Sequence, residues 1–136
     1  RFDYTAMGDS VNLASRLESV NKVYGTDIII DAATRERVGE IIITRELDTI
    51  QVKGRDAGTR IFELIGFTGD AEPPSYADAY SAALALYQQG HFDKAAKAFA
   101  AIAKVDPASQ AMMARCHALS ADPPDDWNGI YVMESK

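Results

Sequence analysis

Two side chains four positions apart raise the first chemical question. Asn12 and Arg16 lie in the run Tyr4 to Glu18, YTAMGDSVNLASRLE. Residues at i and i+4 share one face of a helix. Arg supplies planar donors suited to phosphate oxygens, and Asn supplies a donor and an acceptor together. The plain alternative is a solvated face on which Arg16 pairs with Asp9 or Glu18, since Arg is mostly exposed. A second cationic feature is Gln51-Val52-Lys53-Gly54-Arg55, with Gly58 beyond it. A strand ending in Lys-Gly-Arg places two cations at a turn, which could hold a polyphosphate or simply be solvated. It lacks the G-x-x-x-x-G-K-[ST] pattern of a phosphate-cradling loop. His91 and His117 have no carboxylate or Cys at ligand spacing. Cys116 reads as a small packed residue. Asp125-Asp126 before Trp127 reads as a solvated acidic turn, with cation binding as its weaker alternative.

The elements that must position these groups fall into two styles. Residues 1–66 are rich in β-branched side chains and carry 9 basic and 11 acidic residues; residues 67–136 are rich in Ala and carry 5 and 9. Phe2 to Ala6 reads as the end of a strand. Gly8-Asp9-Ser10 offers a turn and an N-cap. Leu13, Leu17, Val20 and Tyr24 recur at helical spacing, offset from the Asn12/Arg16 face, and predict a helix over 11–24 that ends at Gly25. Thr26 to Asp31 reads as a buried strand, Ala32 to Val38 as a short helix, and Glu40 to Glu46, Asp48 to Val52 and Thr59 to Ile65 as strands. The order suggests an α/β sandwich with a mixed sheet. A Gly/Pro/Asp stretch over 67–75 reads as a linker.

Beyond it, Tyr76 to Gln89 and Phe92 to Lys104 predict two helices broken at Gly90-His91, and Ala108 to Leu119 a third. Tyr87, Gly90, Phe92, Ala95, Phe99 and Pro107 stand where a tetratricopeptide repeat places its turn glycine, packing aromatics and small residue; Ala79, Ala83 and Ile102 depart from that pattern. A single repeat cannot bury its own face, so it must pack on something else. Residues 120–136 read as a turn-rich tail, with Trp127, Tyr131 and Met133 packing it against the rest.

Composition narrows the classes. The chain has 136 residues, 47% hydrophobic and 25% charged, an ordinary globular balance. A formal charge of −6 argues against non-specific nucleic-acid binding. One Cys excludes an internal disulfide framework and a zinc cluster. No apolar run approaches the ~20 residues of a membrane span, and no signal peptide is evident. The first residue is Arg1, so the chain reads as a processed product or a cut piece.

Taken together, Tyr4-Thr5-x-x-Gly8-Asp9-x-Val11-Asn12-x-Ala14-Ser15-Arg16-Leu17-Glu18, then Tyr24-Gly25, then Asp48-x-x-x-Val52-Lys53-Gly54, closely resemble the C-terminal part of class III adenylate/guanylate cyclases over residues 1–66. The resemblance implies that Asn12 orients the ribose and that Arg16 stabilises charge building on the α-phosphate. It implies that Lys53 contacts the terminal phosphates and that Thr5 reads the purine, Thr at that position going with adenine. These roles fit a cyclisation that needs the ribose 3′-oxygen in line with the α-phosphorus and charge stabilised as pyrophosphate leaves.

The same resemblance sets expectations about what lies elsewhere. The family's two metal aspartates, which hold Mg²⁺ or Mn²⁺, and the lysine that helps to read adenine belong to an N-terminal half that this chain lacks. Asp3, Asp9, Asp27 and Asp31 do not match the metal positions. The family's active sites form between two catalytic domains, so ATP and a second cyclase domain, as in a homodimer, are the expected partners. The expected architecture is α/β (α+β): an incomplete ferredoxin-like cyclase sandwich over 1–66, a linker over 67–75, tetratricopeptide-like helices over 76–119 and a tail over 120–136. The chain alone is expected to be inactive and cytoplasmic, with any membrane attachment of the parent made through absent N-terminal segments. Repeat-like helices often follow the catalytic domain in bacterial cyclases. The segment Asp126-Trp127-Asn128-Gly129 resembles the ends of membrane-anchored members with an extracytoplasmic sensor. Apolar strands around Asp27–Ile30 and Ile41–Ile43 are expected to expose a face or edge that favours dimerisation. The competing reading is a helical-repeat binding or regulatory module without catalysis.

Overall fold

The computed structural model describes residues 17–51 and 57–133. Their architecture is mixed α/β, as expected, with a four-stranded sheet and five α-helices among the described residues. Helix α1 is described over 17–24 and turns at Gly25, whose φ is 67°. It leads to strand β1 (Ile29–Asp31) and helix α2 (Ala32–Val38), where Asp31 caps the new helix by accepting from the Thr34 N–H at 2.9 Å. A short 3₁₀ turn over Gly39–Ile41 precedes the long antiparallel pair β2 (Ile42–Gln51) and β3 (Thr59–Phe67).

Strand β2 is continuous where the sequence suggested two pieces parted at Leu47. The register steps from Glu46↔Phe62 to Asp48↔Ile61, so Leu47 is an extra residue, a β-bulge. The bulge has a consequence for side-chain direction. In an unbroken strand residues 45 and 48 point to opposite faces. With one residue inserted, Arg45, Leu47, Asp48 and Ile50 are all buried, and both charged members meet the helices that follow.

Three helices come next: α3 (Ala77–Gln88), α4 (Phe92–Ala100) and α5 (Pro107–Ala121). Tyr80, Ala83, Leu84 and Tyr87 form the buried stripe of α3, and Phe92, Ala95, Ala96 and Phe99 that of α4. The α3–α4 turn closes at Gly90, with φ 88°, where the His91 N–H donates to the Leu86 carbonyl at 2.9 Å. Helix α4 ends at Ala100, a turn short of the expected Lys104, and residues 101–105 form turns.

The helices do not stand apart from the sheet. Leu17, Val20 and Tyr24 of α1, Leu47 and Ile50 of β2 and Ile61 of β3 share one apolar core with the buried stripes of α3, α4 and α5. Helix α2 packs along β1 and β3, and the guanidinium groups of Arg35 and Arg60 lie 4.6 and 5.2 Å from the ring centre of Phe62. Close approach at the α1–α5 junction depends on glycine: a Cβ on Gly25 would lie 2.7 Å from Cβ of Pro107.

The tail contains more structure than turns. Tyr131–Val132 forms strand β4, parallel to β2, giving the sheet order β1-β3-β2-β4. The Met133 N–H extends the pairing to the Gln51 carbonyl at 2.9 Å. Trp127 anchors the preceding turn by donating to the Tyr87 carbonyl at 3.0 Å and packing edge-on against Tyr87 and Phe92. At the far end of the sheet, Ile28, Ile41 and Phe67 are exposed.

Candidate functional site

The four residues assigned roles by resemblance, Thr5, Asn12, Arg16 and Lys53, lie outside the described residues. The structure does describe the elements next to them in the chain. Arg16 immediately precedes the described part of α1, and Lys53 lies between the end of β2 and the start of β3. Besides the apolar core, a buried polar network joins α1 to this end of β2.

Its centre is Asp48, which is fully buried. Oδ2 accepts from the Tyr24 hydroxyl of α1 at 2.7 Å and from Nη1 of Arg115 on α5 at 2.5 Å. Oδ1 accepts from the Thr49 N–H at 2.7 Å. Arg115 also donates to the Tyr87 hydroxyl of α3 at 3.2 Å and to the Tyr24 hydroxyl at 3.3 Å. Its guanidinium lies 3.6 Å from the ring centre of Tyr131 on β4.

Burial raises the Asp48 carboxyl above the usual carboxylate range, against the opposing pull of Arg115 and the donors from Tyr24 and Thr49. Burial also works against the charge on Arg115, but Tyr24, Asp48 and Tyr87 outweigh it and keep the guanidinium protonated. Desolvation holds the Tyr24 phenol well above its ordinary value.

A second network joins the same strand to the start of α5. Arg45 donates through Nη1 to Asp106 Oδ2 at 2.6 Å and through Nε and Nη2 to Glu63 Oε1 on β3. The guanidinium also faces the Tyr80 ring at 4.7 Å. Ser109 donates to Asp106 Oδ2 at 2.6 Å, while Asp106 Oδ1 is buried with no hydrogen-bond partner.

Asp48 stood in the motif without a role, and Arg115 was not singled out at all. A signal for Arg115 is present nonetheless. It is the only charged side chain of α5, and it sits beside Cys116 and one turn from Met112 on that helix's buried side. A lone Arg at such a place calls for a buried acid.

No group of three or more His, Cys, Asp or Glu side chains among the described residues could hold an ion. Asp48, Asp106, Glu63 and Glu46 are each paired with Arg. His91 and His117 are exposed. Cys116 is buried, and desolvation pushes its thiol up to about 11, which leaves it protonated and unreactive at neutral pH. No described helix is long and apolar enough to cross a membrane.

Comparison with known proteins bears on half of the chain. Over 66 residues, 48% of its length, the chain is 44% identical to adenylate cyclase 1 of Rhizobium meliloti (strain 1021), of which it covers 10%. It is 41% identical over 68 residues to the terminal-differentiation-specific adenylate cyclase of Dictyostelium discoideum, covering 3% of that protein. It is 37% identical over 67 residues to an adenylate cyclase of Anabaena cylindrica, covering 13%. No family model matches the chain. No solved structure matches it significantly. The chain is therefore related to adenylate cyclases over about half its length, and it spans only a small part of each of those relatives.

Proposed function

We propose that this chain is a piece of a class III adenylate cyclase and supplies one side of a nucleotide site that two catalytic domains share. The observation that carries the reading is the coincidence of the Tyr4–Glu18 motif with similarity, across three organisms, to proteins named adenylate cyclase. In this reading the parent reaction converts ATP to cyclic AMP and pyrophosphate, a phosphorus–oxygen lyase step. Asn12 holds the ribose so that its 3′-oxygen meets the α-phosphorus in line. Arg16 donates to the α-phosphate oxygens where negative charge builds, which lowers the barrier more than it tightens substrate binding. Lys53 holds the terminal phosphates, and Thr5 favours adenine.

In this reading Mg²⁺ or Mn²⁺ would be held by the metal aspartates of the partner side of the site, where it would activate the 3′-oxygen and bind the phosphates. The helices beyond residue 76 are a tetratricopeptide-like extension in this reading, and their apolar stripes are already covered by the chain's own sheet and α1. The parent works in the cytoplasm, as a homodimer of catalytic domains.

The test is reconstitution. The chain alone, given ATP with Mg²⁺ or Mn²⁺, should form no cyclic AMP. Mixed with a cyclase domain that keeps its metal aspartates but lacks the Asn and Arg, it should restore turnover. Arg16→Ala should then cost roughly a hundredfold or more in kcat with little change in KM. Robust turnover by the chain alone, or restored activity indifferent to Arg16, defeats the reading.

A further inference from the structure

The guanidinium of Arg115 stands where α1, β2, α3 and β4 meet, with Tyr24, Asp48, Tyr87 and Tyr131 as its neighbours. Two buried acid–base networks tie β2 to the later helices, and they differ in completeness. The Arg45 network leaves Asp106 Oδ1 without a partner. Both carboxylate oxygens of Asp48 are satisfied, from α1, from α5 and from its own strand. A buried ion pair is weak evidence of added stability, because apolar groups of similar volume often serve as well. A planar fork with several donors adds direction: it satisfies its acceptors only in one relative placement of the elements that bear them.

That placement concerns one end of the molecule. Tyr24 lies on the helix whose described part begins directly after Arg16, and Asp48 lies on the strand that ends at Gln51, two residues before Lys53. Strand β4 pairs with this last part of β2, Ile50↔Tyr131 and Gln51↔Val132, and lays the Tyr131 ring on the guanidinium.

We infer that Arg115 is a positioning residue through which the segment 77–133 sets the placement of α1 on β2 and thereby controls nucleotide binding by this chain. Nucleotide binding itself rests on the cyclase reading; the coupling of α1 to β2 does not.

The experiment uses the full chain and three variants: Arg115→Met, Arg115→Lys and Tyr131→Leu. Amide hydrogen exchange is followed in peptides covering 17–24, 42–51 and 92–100, and the melting shift caused by ATP with Mg²⁺ is measured beside it. Arg115→Met should speed exchange in 17–24 and 42–51 about tenfold or more while 92–100 stays within about twofold, and should remove most of the ATP-dependent shift. Arg115→Lys keeps the charge without the fork, so it should recover part of both effects. Tyr131→Leu leaves the buried ion pair in place and should give the same pattern more weakly, which keeps the test decisive if Arg115→Met fails to fold.

Exchange that rises equally in all three peptides, or that does not rise in 17–24, overturns the inference. So does an ATP shift that survives in every variant. If the unmodified chain shows no ATP shift, control of nucleotide binding by this chain alone is overturned, while reconstitution decides the cyclase reading and the exchange pattern decides whether Arg115 places α1 on β2.

Discussion

At the scale of single residues, Asp48 and Arg115 show why a buried charge is judged by what surrounds it. Asp48→Ala strips the guanidinium of its acid while leaving it inside, and should cost roughly 3–5 kcal/mol in urea unfolding. The double variant Asp48→Leu/Arg115→Met removes both charges and should lose roughly 1–3 kcal/mol less than the sum of the Asp48→Leu and Arg115→Met losses measured singly. Additive losses would mean that the two groups do not act on each other. Much of the local chemistry was legible in the sequence: Tyr24, Asp48 and Lys53 all stood in one motif. Arg115 was not, because its partner lies 67 positions away and no local period reports such a contact. The assignments of Thr5, Asn12, Arg16 and Lys53 stand on resemblance, since these residues fall outside the described part of the fold.

At the scale of elements, the α1–α5 junction is set by the absence of a side chain. Gly25 combines a φ of 67° with a would-be Cβ 2.7 Å from Pro107, whose own position at the first turn of α5 is fixed. Gly25→Ala therefore meets both a backbone strain and an overlap, and should destabilise the chain by about 2–4 kcal/mol in thermal or urea unfolding. Gly39→Ala, with φ 67° and ψ −135° but nothing within 4 Å, should cost about 1–3 kcal/mol through backbone strain alone, with no overlap to relieve. Helix periodicity and cap residues located the helices within a few residues because those signals are local. The bulge at Leu47 and strand β4 were harder to read. A bulge breaks alternation in the way a strand end does, and a two-residue strand amid turns has no period of its own.

At the scale of the molecule, one core spans residues from Leu17 to Cys116, and this gives the fold a distinct response to alkali. Tyr24, Tyr80 and Tyr87 are fully buried, and burial raises the ionisation of each above its ordinary value. In the unfolded chain a phenol ionises near pH ~10. The native state holds those protons to higher pH, so it binds more protons than the unfolded state across that window, and stability falls as pH rises through it. Melts should therefore change little up to about pH 10 and drop steeply above it, with the phenolate absorbance of these three rings appearing together with unfolding. Phenolate that titrates smoothly at its ordinary value before any unfolding would contradict the burial. The mixed α/β class was readable from the order of patterns, whereas the union of both halves in one core rests on contacts between distant segments. The last strand adds a consequence for biosynthesis. Ile50 pairs with Tyr131, a partner made about 80 residues later, and such distant pairing is slow to form. Until residues 131–133 have been synthesised, the edge of β2 at Ile50 waits for this pairing, a vectorial delay during which that edge is open to wrong pairings.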